Sequence, residues 1–340
     1  MRTALRLGIV GCGAVVEHLH LPASVLVPQV SVTALVDQDA SRAASLAARF
    51  GVPMYFDRHL DLLGRVDAAL IATPPSSHAP IASDLLARGT HVLCEKPMAP
   101  STAGCQMMID AAERGGAILA IAHSRRFHFN LAHLKSLVEV GAFGRVIHIS
   151  IEDGFAFSWP TQTGYMFHPA TASGVLLENG IHSLDLLLWL KGYPENVRYR
   201  DDALGGVESN LELSLLWADG TTALLKVSRT ATLANRLVLH GEEGAARCDV
   251  YEGQRLHLTL PSSKVGQAIG PIVLEADVPQ DALDVMAAQL ADFAQSIALR
   301  RRPRATSGDG LAAIRLVEAC YGRRAMRSLP AYAPLPGVLR

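Results

Sequence analysis

What most constrains this chain is a rhythm of short apolar runs, each closed by a turn-forming residue and followed by a segment with helical spacing. Leu5 to Val10 ends at Gly11, and Val15 to Leu26 follows with apolar residues at helical intervals. Val30 to Val36 ends at Asp37. Ser41 to Phe50 is then alanine-rich and helical, with Gly51 as its stop and Pro53 beyond. Ala68 to Ala72 runs into Thr73-Pro74-Pro75 and a helix over 79–88 that Gly89 closes. His91 to Cys94 runs into Glu95-Lys96-Pro97, Ser101 stands where an N-cap belongs before a helix to Arg114, and Ala117 to Ala122 is one more strand. Strands separated by helices dictate a parallel sheet covered on both faces, because parallel neighbours require crossovers. The expectation is a doubly wound α/β domain.

Beyond residue 122 the rhythm changes. Leu131 to Val140 reads as helix, and Val146 to Glu152, Glu208 to Trp217, Thr221 to Arg229, Arg236 to His240, Ala245 to Tyr251 and Leu256 to Leu260 read as strands. Ala218-Asp219-Gly220 supplies a hairpin turn between two of them. One helix, His182 to Leu190, precedes the hairpins, and two more, over 281–299 and 309–326, finish the pattern. The second domain is therefore α/β with a large, mostly antiparallel sheet.

Length and composition exclude several classes. At 340 residues the chain holds roughly two domains, and 49% hydrophobic with 19% charged residues describes an ordinary folded protein. Its 31 basic and 32 acidic side chains leave a net charge of −1, so no overall field draws a polyphosphate, and nucleic acid is not expected as a partner. The cluster Arg300, Arg301, Arg302 and Arg304 reads as decoration of a helix end, where cations suit the dipole. Five scattered cysteines without a Cys-x-x-Cys pair encode neither a disulfide framework nor a zinc site. No apolar run approaches the roughly 18 residues of a membrane span, and Leu5 to Val16 is better explained as strand and glycine turn than as a signal peptide. The cytoplasm is the expected location, and no metal is expected.

Gly11-Cys12-Gly13-Ala14-Val15-Val16 lies where the first strand becomes the first helix, so its amides and the helix dipole can hold a pyrophosphate. Val16 departs from the small residue usual at the third fingerprint position. Asp37, 26 positions after Gly11, ends the second strand, where a carboxylate accepts from ribose hydroxyls and repels a 2′-phosphate; NAD is expected in preference to NADP. Lys96 sits at the carboxyl edge of the sheet, where such folds bind ligands. Glu178, His182 and Asp185 are spaced four and three apart, so on a helix they share a face of an otherwise leucine-rich segment. His18 and His20, beside the glycine turn, read as structural or near the cofactor.

Taken together, the glycine turn, Asp37, Ala72-Thr73-Pro74 with His78, Glu95-Lys96-Pro97 and Gly174-x-x-x-Glu178-x-Gly180-x-His182-x-x-Asp185 resemble the Gfo/Idh/MocA oxidoreductases over nearly the whole chain. The resemblance implies a Rossmann NAD(P)-binding domain over 1–122 and an α/β domain over 123–340 that binds substrate and mediates oligomerisation, as a homodimer or homotetramer through its sheet. It also implies hydride transfer between the cofactor and a secondary alcohol or ketone of a sugar, polyol or nucleotide sugar. Carried over by position, Lys96 and His182 are the catalytic lysine and histidine, and Asp185 tunes the histidine and contacts substrate. Glu178 stands where aspartate is common. Gly11, Cys12, Gly13, Ala14, Val15, Thr73, Pro74, His78, Glu95 and Arg126 fall with Asp37 and Lys96 at the cofactor.

The chemistry fits these roles. Alcohol oxidation removes a hydride and a proton; an imidazole, with an ordinary pKa near 6.5, suits the proton, and a lysine ammonium suits a developing alkoxide. Trp159 and Tyr165 form a sugar-stacking wall or anchor their loop, and Arg229 either binds an anionic substrate group or lies at a surface or interface. Two other classes are alternatives: an NAD-dependent glycosidase of the same fold, and a non-catalytic NAD(P)-binding regulator, which has no need to keep Lys96 and His182 together.

Overall fold

In the computed structural model, which describes residues 4–157, 174–203, 207–260 and 272–326, contacts divide the chain into two compact units. The first comprises residues up to 124 together with 282–314, and the second the remaining described residues. A single cut at 122 thus misses a later segment that returns to the first unit.

The first unit is a six-stranded parallel sheet built from β1 (Leu5–Val10), β2 (Val30–Val36), β3 (Met54–Phe56), β4 (Ala68–Ile71), β5 (His91–Cys94) and β6 (Leu119–Ile121), in the order β3-β2-β1-β4-β5-β6. The order reverses between β1 and β4, and Gly11, Asp37, Thr73 and Glu95 all lie just beyond carboxyl ends of strands. That is where doubly wound sheets open a binding crevice. Between the strands run α1 (Leu21–Val25), α2 (Ala40–Phe50), α3 (Pro75–Leu86) and α4 (Thr102–Gly115). Their ends follow local chemistry. Asp39 caps α2 by accepting from the Ser41 and Arg42 amides, Ser101 caps α4 by accepting from the Gly104 amide, and Gly51 and Gly116 stop the two helices. The expected helix from 15 to 26 is instead a wide π-type turn, Val16–His20, leading into the short α1.

The later segment is α7 (Ala282–Leu299), whose Leu290 and Phe293 are buried in one core with Leu7, Ile9, Val16 and Leu21. Its apolar residues cover the π-type turn and α1, a surface that the helices between strands leave uncovered.

The second unit is a nine-stranded mixed sheet. Its strands are β7 (Val146–Gly154), β8 (Asn196–Asp201), β9 (Asn210–Leu216), β10 (Thr222–Ser228), β11 (Arg236–Gly241), β12 (Gly244–Asp249), β13 (Arg255–Thr259), β14 (Ile272–Glu275) and β15 (Arg324–Met326), ordered β14-β13-β12-β11-β7-β10-β9-β8-β15. Only β7–β10 and β8–β15 pair in parallel. The helix α5 (Phe129–Glu139) packs on β12 and β13, and α6 (Ile181–Lys191) on β7. The last helix, α8 (Ser307–Gly322), stops short of the expected 326, and the chain continues as β15. Strand β8 escapes a search for apolar runs because its buried Val197, Tyr199 and Asp201 alternate with exposed Asn196, Arg198 and Arg200. All five cysteines are buried thiols, and no helix among the described residues is long and apolar enough to cross a membrane.

Phe293 is 1% exposed, and truncating such a ring leaves a cavity worth about 3–5 kcal/mol. Phe293→Ala should lower unfolding free energy by that amount in urea titrations. A loss below about 1 kcal/mol would mean that α7 is not part of the first core.

Candidate active site

In the first unit the candidate residues begin at the glycine turn. Gly11 has φ +96°, a conformation that strains any residue with a Cβ, and a Cβ there would run into the Ala72 carbonyl. A Cβ on Gly13 would meet nothing, so the backbone there is open to close approach. Asp37 accepts the Cys12 amide on one carboxylate oxygen at 2.8 Å and the Asp39 amide on the other at 3.0 Å, which fixes a negative group beside the turn. Burial, with the Asp37 charge, pushes the Cys12 thiol up to about 12, so it stays protonated. An open glycine backbone beside an oriented carboxylate fits the pyrophosphate and ribose of a dinucleotide.

Lys96 is held by its neighbour. Glu95 is buried, accepts the Lys96 amide at 3.0 Å and pairs with buried His20 at 2.9 Å. Burial pushes the Glu95 carboxyl up, but the hydrogen bond and charge of His20, with the Lys96 charge, outweigh it and hold it below the usual range. The Lys96-Pro97 peptide is cis. His78, fully buried, sets its two ring nitrogens against the carbonyls of Pro97 (2.9 Å) and Thr73 (2.8 Å), and burial lowers its pKa. His78 and Glu95 thus brace the two turns that carry Thr73 and Lys96. Thr73 and Pro74 lie on the turn that His78 braces.

In the second unit, Glu178 lies in a π-type turn, Leu176–Gly180, and His182 and Asp185 follow on α6. The expectation of one regular α-helical face is thus corrected, because the wider turn changes the offset between Glu178 and His182. Such turns recur at functional sites. Asp185 takes a two-pronged grip from Arg126, at 2.9 and 2.6 Å, with both groups almost fully buried. The Arg126 guanidinium also lies 5.2 Å from the Trp189 ring. The Arg126 charge is thus paired with that of Asp185.

Arg125 forms a second buried knot. It donates to Asp153 (2.8 Å) and to Ser183 (2.9 Å), Ser183 donates to Asp153 (2.7 Å), and the Tyr251 hydroxyl donates to the other Asp153 oxygen (2.5 Å). Burial would raise the Asp153 pKa, but the Arg125 charge and hydrogen bond, helped by Tyr251 and Ser183, keep it low. Sequence reasoning missed Asp153, Ser183 and Tyr251; two adjacent arginines beside an apolar stretch were the available signal. Arg229 is 5% exposed and donates to the Glu208 carbonyl at 3.2 Å, which removes the surface reading. Burial lowers its pKa, opposed by the charges of Glu208 and Glu178. Trp159 and Tyr165 lie outside the described residues.

Family comparison agrees with this geometry. Residues 5–123 match the oxidoreductase family with an NAD-binding Rossmann fold, and residues 131–247 match the GFO/IDH/MocA C-terminal domain. The chain belongs to the Gfo/Idh/MocA oxidoreductases. It is 29% identical to the rhizopine catabolism protein MocA of Rhizobium meliloti, over 93% of this chain and 94% of that one. It is 28% identical to a UDP-N-acetylglucosamine 3-dehydrogenase of Acidithiobacillus ferrooxidans, over 87% and 90%. The crystal structure of an aldose-aldose oxidoreductase from Caulobacter crescentus, complexed with glycerol, superposes with a TM-score of 0.84 at 27% identity, covering 94% of this chain and 97% of that one. This Gfo/Idh/MocA protein is thus an oxidoreductase with an NAD-binding domain.

The Asp153 knot sets a pH dependence. A carboxyl whose folded pKa is depressed contributes stability above its unfolded value, near 4, and loses that contribution as pH falls through the folded value. The protein should therefore weaken progressively below about pH 4. Asp153→Asn should cost about 3–5 kcal/mol at neutral pH, by leaving Arg125 without its buried counter-charge, and should flatten the acid slope. Parallel stability–pH curves for the two proteins would remove Asp153 from that role.

Proposed function

We propose that this enzyme interconverts a secondary alcohol and a ketone on a sugar, polyol or nucleotide sugar, with NAD as its cofactor, and that Lys96 and His182 are the acid/base groups. The carrying observation is Lys96 itself, which follows the buried Glu95–His20 pair at the carboxyl edge of the sheet, in the unit whose open glycine turn and oriented Asp37 fit a dinucleotide. Gly11, Cys12, Gly13, Ala14 and Val15 would hold the pyrophosphate, and Asp37 the adenosine ribose. Bound NAD supplies the hydride acceptor and donor.

The chain's own contribution is proton transfer and charge stabilisation. His182 takes the hydroxyl proton in oxidation and returns it in reduction, while the Lys96 ammonium stabilises alkoxide charge on the same oxygen. Asp185 and Arg126 act on His182 through the helix, by fixing α6. Glu178 and Arg229 are the polar groups offered to substrate hydroxyls. The names of the relatives, a nucleotide-sugar dehydrogenase and an aldose oxidoreductase, support the substrate class. Family membership also supports a homodimer or homotetramer through the nine-stranded sheet, which light scattering would size.

Lys96→Ala and His182→Ala should each lower kcat by about 10²- to 10⁴-fold while NADH affinity, read by fluorescence titration, changes little. Full turnover in either variant removes that residue from the mechanism. Asp37→Ser should shift the NADH-to-NADPH ratio of kcat/KM toward NADPH by about tenfold or more, equivalent to 1.4 kcal/mol. A wild type that already prefers NADPH would contradict the role given to Asp37.

A further inference from the structure

At the opposite edge of the parallel sheet from Lys96, the first unit carries a half-open cavity of about 880 Å³. Its wall includes the starts of β5 and β6 at His91 and Leu119, the end of α7 at Arg300, Arg301 and Arg302, and the first turn of α8 at Ser307 and Gly308. Its volume falls in the range of small-molecule sites.

The charge in this cavity is one-sided. No acidic residue is among those lining it. The acids nearby are already engaged: Asp292 accepts from Arg301 (2.7 Å) and from the Arg304 amide (2.8 Å), Asp67 is held by Arg6, and Asp309 accepts from the Thr306 amide and hydroxyl. Arg301 is the member of the cluster that merely closes the helix, since its other terminal nitrogen bonds the Arg302 carbonyl. Arg300 and Arg302 are exposed and have no ion-pair partner among the described residues. Arg300 adopts φ +50°, the left-handed conformation that ends α7, so the chain reverses between these two guanidiniums and the start of α8. Two further donor groups lie on the same wall. His91 accepts the Ile118 amide on Nδ1 at 2.9 Å, which puts the proton of the neutral ring on Nε2. At the start of α8 the Thr306 hydroxyl oxygen accepts the Asp309 amide and the Thr306 carbonyl accepts the Gly310 amide, which leaves the Ser307 and Gly308 amides as the donors of that turn.

We infer that this cavity binds a phosphate monoester of a small metabolite, with Arg300 and Arg302 gripping the phosphate. Guanidinium forks match phosphate geometry in a way that a point charge does not. The apolar part of the wall, Ile118, Leu119, Ile297 and Pro303, offers a surface for an organic body that a bare anion would not use. A nucleic acid is disfavoured because the basic residues form one compact cluster on a chain of net charge −1.

The test is calorimetric titration of the full chain, with NADH present to occupy the cofactor turn, using inorganic phosphate, glucose 6-phosphate and AMP as probes. At least one ester should bind more tightly than inorganic phosphate, and Arg300→Ala/Arg302→Ala should weaken that ester by about tenfold or more. The better of the two esters identifies a sugar phosphate or a nucleotide as the source. Absence of ester binding by the wild type at millimolar concentration, equal affinity in the double variant, or phosphate binding as tightly as both esters would each overturn the inference. The glucose 6-phosphate arm, repeated without NADH, gives its answer whether or not the cofactor reading holds, and NADH affinity should be the same in both proteins.

Discussion

Two adjacent buried arginines govern the geometry of the second unit. Neither Arg125 nor Arg126 could be buried without a counter-charge, because an uncompensated ion inside a protein costs several kcal/mol. The chain meets this demand from two elements. Arg125 takes Asp153 at the end of β7 and Ser183 on α6, and Arg126 takes Asp185 two positions further along α6. A slip of α6 by one residue would break both sets of bonds at once. His182, adjacent to Ser183 and three positions before Asp185, inherits its position from them. A polar side chain on a leucine-rich helix is otherwise poorly oriented, since apolar packing is non-directional whereas hydrogen bonds and forked ion pairs are not.

Glu208 plays a comparable part at the start of that segment. Its buried carboxylate accepts the Leu176 amide at 3.1 Å, the Tyr321 hydroxyl at 2.7 Å and an Arg324 nitrogen at 3.1 Å. It lies so close to the Gly174 backbone that a Cβ there would collide with it. Gly174 is therefore required by a neighbour distant in sequence, and the π-type turn bearing Glu178 starts from an amide held by a fixed charge. Both ends of the segment carrying Glu178, His182 and Asp185 are tied down electrostatically.

How much of this could be read from the sequence follows from the range of each interaction. The parallel sheet, the caps at Asp39 and Ser101, the stop at Gly51 and the strategic positions of Gly11, Asp37 and Lys96 all express themselves within a few residues, and they were legible. The return of α7 to the first unit was not, because an amphipathic helix does not reveal which apolar surface it covers. Nor were β3, β8 and β14: two are three or four residues long, and the third alternates polar and apolar side chains. For the site, residue types were visible but not their partners. His78, Glu95 and Arg126 carry the right chemistry to touch a ligand; only tertiary structure shows the carbonyls, His20 and Asp185 to which they also bond.

That division separates groups that touch from groups that hold. Lys96 follows a residue locked by an ion pair, and His182 precedes one locked by a hydrogen-bonded knot, so each candidate catalytic side chain projects from a backbone whose neighbour is buried and hydrogen-bonded. Placing the anchored group one residue away fixes the backbone without consuming the functional group itself. It also leaves the site's protonation independent of its scaffold: the Glu95 and Asp153 carboxyls are held below their ordinary range and stay ionised at the pH where an imidazole exchanges protons. The charges that hold these two stretches of backbone therefore persist across that pH range.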